Sequence, residues 1–174
     1  MRDTQGNRIG IADVKALARE AETSTERMAE VVNLIHSDDP IVARNAAWVM
    51  THLGNEHIRA LLPRQDEFID LVLSTSNDSL RRLLMNIIER QGIAESDLRT
   101  DFLDFCLEHM QLPTEAPGIQ SLSMKLAFQQ CRYYPELQAE FRNTLLMMQD
   151  GYATSLMGLK KKMLNSAFTY AKGV

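Results

Sequence analysis

The chain has 174 residues, of which 45% are hydrophobic and 24% charged, and its formal net charge at pH 7 is -4. This length suits a single domain with a shared core, and the acidic balance does not favour a nucleic-acid partner. No apolar run reaches the length of a membrane span, and the first residues lack the apolar core of a secretory signal. We therefore expect a cytoplasmic protein without a membrane partner.

Apolar residues recur at spacings of three and four along most of the chain, which predicts nine helices and no strand. A polar tail over 1–10 precedes a capping helix over 11–22, for which Asp13 is the expected N-cap residue. Four antiparallel helix pairs follow, over approximately 24–54, 57–92, 96–134 and 135–172. The sequence thus predicts an all-α fold in one domain, 1–174.

Turn residues divide the first two pairs. Asp39, followed by proline, predicts an N-cap with proline in the first turn, where a missing N–H costs nothing. Gly54 is expected in the left-handed conformation at the end of that helix. In the second pair, the helices are predicted over about 63–75 and 77–91, with Gly92 ending the second.

The last four helices are predicted over about 96–110, 119–134, 135–149 and 152–171. In the first of them Phe102, Phe105 and Cys106 are expected to face inward. Cys106 and Cys131 both fall in apolar helical patterns, which favours two buried free thiols over a disulfide framework.

Two stretches repeat each other at an offset of 38 residues. The first contains Asp39, Pro40, Val42, Arg44, Ala46, Ala47, Met50 and Gly54, and the second contains Asn77, Asp78, Leu80, Arg82, Leu84, Met85, Ile88 and Gly92. A unit of roughly 40 residues that contains two amphipathic helices is the size of one α-helical repeat.

An acidic or Asn turn followed by Pro, Val, Arg and then Ala resembles the HEAT/armadillo-type superfamily. More narrowly, 46–49 with His52, and 134–137, resemble small single-domain bacterial HEAT-like proteins without an established activity. The resemblance implies a right-handed α-solenoid with an N-terminal capping helix. In such solenoids the first helices form the convex layer and the second helices line the concave one.

Charge is sorted between the two helices of each pair. The first helices (24–36, 64–75, 96–110 and 136–150) carry twelve acids and four bases, whereas the second helices (40–53, 78–91, 117–134 and 152–172) carry ten bases and two acids. With the layers that the resemblance implies, this sorting predicts a basic groove that attracts an acidic partner. The alternative is structural: Arg44 and Arg82 pair with turn acids of the neighbouring repeat, such as Asp39 or Asp78, and Lys160–Lys162 form an ordinary solvated face.

The predicted partner-binding residues are basic, aromatic or amide side chains of the second helices. They are Arg44, Trp48, His52, Arg81, Arg82, Asn86, Arg90, Lys125 and Arg132. Met124 and Phe128 continue the same stripe in the third pair. For Trp48 the alternative is packing between adjacent repeats.

No catalytic residue, metal site or cofactor is predicted. The four histidines lack metal-ligand spacing, and Asp97, Asp101, Asp104 and Glu108 form either a carboxylate cluster or a solvated face. The predicted function is therefore a noncatalytic module that binds a protein or an acidic peptide. The alternative is a nucleic-acid-binding protein similar to the HEAT-like DNA alkylation-repair glycosylases. A further possibility is a subunit that docks into a larger assembly through an exposed end repeat or through 113–118.

Overall fold

The computed structural model describes residues 9–148 and 151–166. In these ranges the chain forms ten α-helices and three short 3₁₀ segments, and it contains no strand. The contacts divide the chain into two compact units, Met1–Gln91 and Gly92–Val174. The predicted all-α fold class is confirmed, whereas the organisation of 1–174 as a single domain of four repeats stays a prediction.

Six helices make up the first unit. They are α1 (Ile11–Thr23), α2 (Thr25–Asn33), α3 (Pro40–Thr51), α4 (Asn55–Ala60), α5 (Gln65–Ser74) and α6 (Asp78–Gln91), with 3₁₀ segments at Leu34–His36 and Leu62–Arg64. Helix α3 is central, because it packs against α1, α2 and α6. Its small and apolar side chains Ala46, Ala47, Val49 and Met50 are fully buried there.

The 38-residue repeat is visible as equivalent helix starts. Asp39 Oδ1 accepts a hydrogen bond from the Ile41 N–H at 2.9 Å, and Asn77 Oδ1 accepts one from the Leu80 N–H at 3.1 Å. The Asn77 side-chain amide also donates to Pro40 O, 3.4 Å away in the preceding turn. Side chains with the same capping chemistry therefore begin α3 and α6, and the two turns are joined directly.

The prediction of nine helices is wrong for the described residues. Helix α4 forms a separate element, and the helix predicted over 63–75 begins as the 3₁₀ segment Leu62–Arg64 before becoming regular at Gln65. Pro63 has no N–H to donate, which interrupts a continuous helix at this point.

Two predicted helix ends in the first unit also differ. Asp13 lies in the first turn of α1, where its carboxylate accepts the Gly10 N–H at 2.9 Å, and it is not the N-cap residue. Gly54 has φ -61° and precedes α4, so the backbone there is not left-handed. Gly92, with φ +77°, does adopt the left-handed conformation predicted after α6.

The second unit contains α7 (Thr100–His109), α8 (Pro117–Cys131), α9 (Pro135–Met147) and α10 (Thr154–Asn165), with a 3₁₀ segment at Glu95–Asp97. Helix α8 is central and packs against the other three. The helix predicted from 96 begins at Thr100 because the 3₁₀ turn precedes it. The predicted helix residues 149, 150 and 167–171 lie outside the described residues.

The core of the second unit follows the predicted pattern with one exception. Phe102, Cys106 and Cys131 are fully buried. Phe105 is only half-buried and stacks on the His109 ring, with 3.9 Å between ring centroids. Across the described ranges, no helix combines the length and apolarity needed to cross a membrane.

Candidate functional site

The predicted stripe on α3 forms a continuous surface of a guanidinium and two rings. The guanidinium carbon of Arg44 lies 5.8 Å from the centroid of the Trp48 ring, within cation–π range. The Trp48 and His52 ring centroids are 6.5 Å apart. Arg44 and Trp48 are half-buried and His52 is exposed, so the three side chains reach the surface of the first unit together.

The equivalent positions on α6 add a second row beside this stripe. Arg82 and Asn86 correspond to Arg44 and Trp48 in the repeat, and α6 packs directly against α3. Arg82 is exposed, and its side chain has no hydrogen bond or ion pair within the part of the chain that the structure describes. Asn86 is half-buried. We call Arg44, Trp48, His52, Arg82 and Asn86 the α3–α6 surface.

Arg81 contacts the scaffold. Its Nε donates to Val72 O at 3.1 Å, a second nitrogen donates to Thr75 O, and a third pairs with the Asp78 carboxylate at 2.7 Å. The side chain is thus folded back onto the end of α5 and is largely buried. Asp78 therefore pairs with Arg81, and among the described residues Arg82 does not form the ion pair with a turn acid that the structural alternative allows.

Arg90 also makes structural contacts. Its guanidinium donates to Thr51 O at 2.9 Å, to Leu53 O at 2.7 Å and to Asn55 Oδ1 at 2.7 Å. The last carbonyls of a helix have no partner within the helix. Arg90 supplies donors to the carbonyl of Thr51, the last residue of α3, and to the carbonyl of Leu53. It thereby fixes the turn between α3 and α4.

The second unit uses the same device at the end of α8. Arg132 donates to Ile93 O at 3.3 Å, and the Tyr133 hydroxyl donates to the same oxygen at 2.7 Å. The Arg132 guanidinium carbon also lies 4.7 Å from the centroid of the Tyr133 ring. Arginines of the second helices thus make structural contacts. Arg81 pairs with a turn acid, while Arg90 and Arg132 donate mainly to backbone carbonyls.

The rest of the basic layer lies in the second unit. Lys125 is half-buried on α8, while its neighbour Met124 is fully buried and cannot contribute to an exposed stripe. Lys160 donates to Met148 O at 2.6 Å, and Lys162 is exposed. Among the described residues of this unit, Arg132, Lys161 and Lys162 are the exposed cations of the predicted basic layer.

Three of the four histidines each contact one carboxylate. The pairs are His36–Glu67, His57–Glu22 and His109–Glu115. In the described ranges there is no group of three or more residues that could hold a metal ion. Asp97, Asp101, Asp104 and Glu108 are all exposed, which favours the solvated-face interpretation of these acids.

Two of these carboxylates have lowered pKa values. Burial acts to raise the pKa of Glu67, but hydrogen bonds from Arg64 and His36 outweigh it and hold this pKa below its ordinary value. The Arg99 guanidinium hydrogen-bonds to Asp101 and lowers the pKa of that carboxyl. Both carboxylates form ion pairs at the surface, Glu67 with Arg64 and His36, and Asp101 with Arg99.

The sequence interpretation missed one site, a cavity of about 520 Å³ in the second unit. Gln130, a fully buried polar residue of α8, is among the residues that line it. The available signal was Gln130 itself, which interrupts an otherwise apolar inward pattern formed with Leu126, Ala127 and Cys131.

Helix pairs that pack side by side and repeat their turn contacts define a helical-repeat protein. Residues 1–167 match the family model of the HEAT repeat domain, and the chain belongs to this family. The resemblance seen in the repeated turns is therefore confirmed. No curated protein matches the chain. HEAT repeat domains generally act as noncatalytic interaction modules, which is the class of function that the family indicates.

Proposed function

We propose that this protein is a noncatalytic interaction module that binds an acidic peptide segment with an apolar anchor on the α3–α6 surface. The observation that carries the proposal is the partly exposed Trp48 ring beside the Arg44 guanidinium, with the exposed Arg82 on the adjoining helix. Tryptophan and arginine are the residues that most often dominate binding energy at protein interfaces.

The two arginines suit different steps of recognition. Arg82 has no partner to lose within the described residues, so it can engage a carboxylate without breaking an existing contact. A guanidinium can also bind a carboxylate through two parallel hydrogen bonds. Arg44 is held close to Trp48, which reduces the side-chain entropy lost on binding.

A basic field is a second part of the proposal, and it is considered in each unit by itself. In the first unit Arg81 and Arg90 of α6 would add positive potential near the α3–α6 surface, and in the second unit Lys125 of α8 and Arg132, which follows α8, would do the same. Arg81, Arg90 and Arg132 are already bonded to the scaffold, so their contribution is to the field and not to direct contact.

Trp48 allows a direct test because it is the one tryptophan in the sequence. Its emission is recorded while the protein is titrated with pooled octapeptides that carry several Asp or Glu residues and one Leu or Phe. Matched pools carry Lys in place of the acids. We expect a saturable change in Trp48 emission with the acidic pool and none with the basic pool.

Variants locate the site. Arg82→Glu should weaken acidic-peptide binding by roughly tenfold or more, because a close attraction becomes a repulsion. Lys15→Glu on α1 makes the same charge change at an exposed position outside the α3–α6 surface and should leave affinity unchanged. Equal binding of acidic and basic pools, or equal affinities of the two variants, would refute the proposal.

Nucleic-acid binding is the alternative that the same residues support. Arginines also bind phosphates, and the partly exposed Trp48 ring could stack on a base. A single-stranded oligonucleotide belongs in the same titration. Tighter binding than that of the acidic peptides, with affinity that falls steeply as salt is raised, would replace the peptide proposal.

A further inference from the structure

A groove opens between two helices of the second unit. Helices α7 and α9 both pack on α8, and between them lies the cavity of about 520 Å³, a volume typical of small-molecule sites. Four leucines supply its apolar wall: Leu98, Leu103, Leu107 and Leu137. We call this cavity the leucine groove.

One buried polar side chain, Gln130, lines the leucine groove, and only one of its two polar atoms is hydrogen-bonded within the described ranges: Nε2 contacts Cys106 Sγ at 3.9 Å as well as a backbone carbonyl. The Gln130 side chain is fully buried, and its Nε2 donates to Leu126 O at 3.3 Å. Its Oε1 has no hydrogen-bond partner among the described residues. Because the bond to Leu126 fixes the orientation of the amide, the group left over is an acceptor. An unpaired buried acceptor is unfavourable, so a ligand that donates a hydrogen bond gains by satisfying it.

The charges that line the leucine groove are mainly negative. Glu95, Asp104 and Glu140 contribute carboxylates, while the one lining cation, Arg99, is paired with Asp101 at 2.7 Å. Asp104 and Glu140 are exposed and remain hydrated at the mouth. Carboxylates around an apolar wall favour a positively charged ligand over an anion of the same shape.

We propose that the leucine groove binds a small organic ammonium compound with an apolar body. The apolar body contacts the leucine side chains, and an N–H group of the ammonium donates to Gln130 Oε1. The carboxylates of Asp104 and Glu140 compensate the charge of the ammonium group while they remain hydrated. This site does not use the α3–α6 surface, so the two proposals stand or fall separately.

The test is a titration of the whole chain with hexylammonium, followed by NMR of labelled leucine methyl groups. We expect saturable shifts at Leu103, Leu107 and Leu137. Hexanoate, which has the same apolar body and the opposite charge, should produce no such shifts. Hexanol, a neutral donor, should bind more weakly than hexylammonium.

Three variants test the polar contacts. Asp104→Asn should weaken hexylammonium binding by about threefold, whereas Glu108→Gln, on the same helix but outside the groove, should not change it. Gln130→Met keeps the side-chain volume, removes the acceptor and should weaken binding by about tenfold. Its circular dichroism and melting temperature show whether the fold is retained.

Several outcomes would overturn the proposal. They are no leucine methyl shifts at millimolar hexylammonium, equal shifts with hexanoate, or equal affinities of the Asp104→Asn and Glu108→Gln variants. If Gln130→Met does not fold, the comparison of the three ligands on the unaltered chain still decides the matter, together with the Asp104 and Glu108 variants.

Discussion

Replacing Arg90 with methionine tests whether the arginines at the ends of the second helices stabilise the scaffold. The substitution keeps much of the aliphatic stem and removes the guanidinium, which donates to Thr51 O, Leu53 O and Asn55 Oδ1 at 2.7–2.9 Å. The acceptors are the last residue of α3, the turn residue Leu53 and the first residue of α4, so one change removes every donor that this side chain brings to the junction of the two helices.

The magnitude depends on how well water replaces each bond. A hydrogen bond from a charged donor contributes roughly 1.5–3 kcal/mol when its acceptor is buried. Leu53 is 2% exposed, so its carbonyl has the least access to water. Thr51 is half-buried and Asn55 is exposed, which reduces the loss at those acceptors. We expect a loss of about 3 kcal/mol in the free energy of unfolding, or roughly 6–12 °C in melting temperature.

Arg82→Met is the matched control, because Arg82 lies on the same helix, is exposed and has no hydrogen bond or ion pair in the described part of the chain. Its unfolding free energy should stay within about 0.5 kcal/mol of the unaltered protein. Urea unfolding followed by circular dichroism at 222 nm measures both. Equal stability of the Arg90→Met and Arg82→Met variants would refute the structural assignment of Arg90.

The other predictions concern thiols, glycines and acid stability. Burial raises the pKa of the Cys131 thiol to about 12 and holds the pKa of the Cys106 thiol well above its ordinary value, so both should resist alkylation at pH 8 until urea unfolds the protein. Gly92→Ala should cost about 1 kcal/mol in urea unfolding because φ is +77°, whereas Gly158→Ala, within α10, should gain a similar amount. The pKa of Glu67 is lower in the folded protein than in the unfolded chain, so its ionised carboxylate stabilises the fold above its ordinary pKa. This stabilisation is lost as the pH falls through the lowered pKa. The free energy of unfolding should therefore decline less over this pH range in Glu67→Gln.

The fold was predictable because its signals are local. Helix periodicity and the N-cap residue Asp39 report directly on backbone hydrogen bonding, and Asp39 caps its helix as predicted. Asn77, its equivalent in the repeat, caps α6 in the same way. The extra helix α4 was missed because six residues carry too few apolar positions to show a period. Gly54 was misassigned because a glycine that ends one helix and a glycine that precedes another look alike in sequence.

The candidate sites were less predictable because charge pattern does not reveal hydrogen-bond partners. Arg81 and Arg82 are adjacent and chemically identical, yet one is bonded to carbonyls of α5 and the other is exposed. Which of them turns inward depends on the approach of α5, a tertiary feature. Gln130 posed the reverse problem, since a single amide in an apolar pattern shows burial but not what surrounds it.

The arginine–carbonyl contacts also give each unit a direction of assembly. Arg90 reaches back 37 residues to Leu53 O, and Arg132 reaches back 39 residues to Ile93 O. His52, the residue equivalent to Arg90 in the first repeat, directly follows α3. The Gly54 N–H, next to the Leu53 carbonyl that Arg90 contacts, donates to Glu22 of α1 at 2.7 Å. Because each acceptor precedes its arginine in the chain, neither contact needs any residue that follows that arginine.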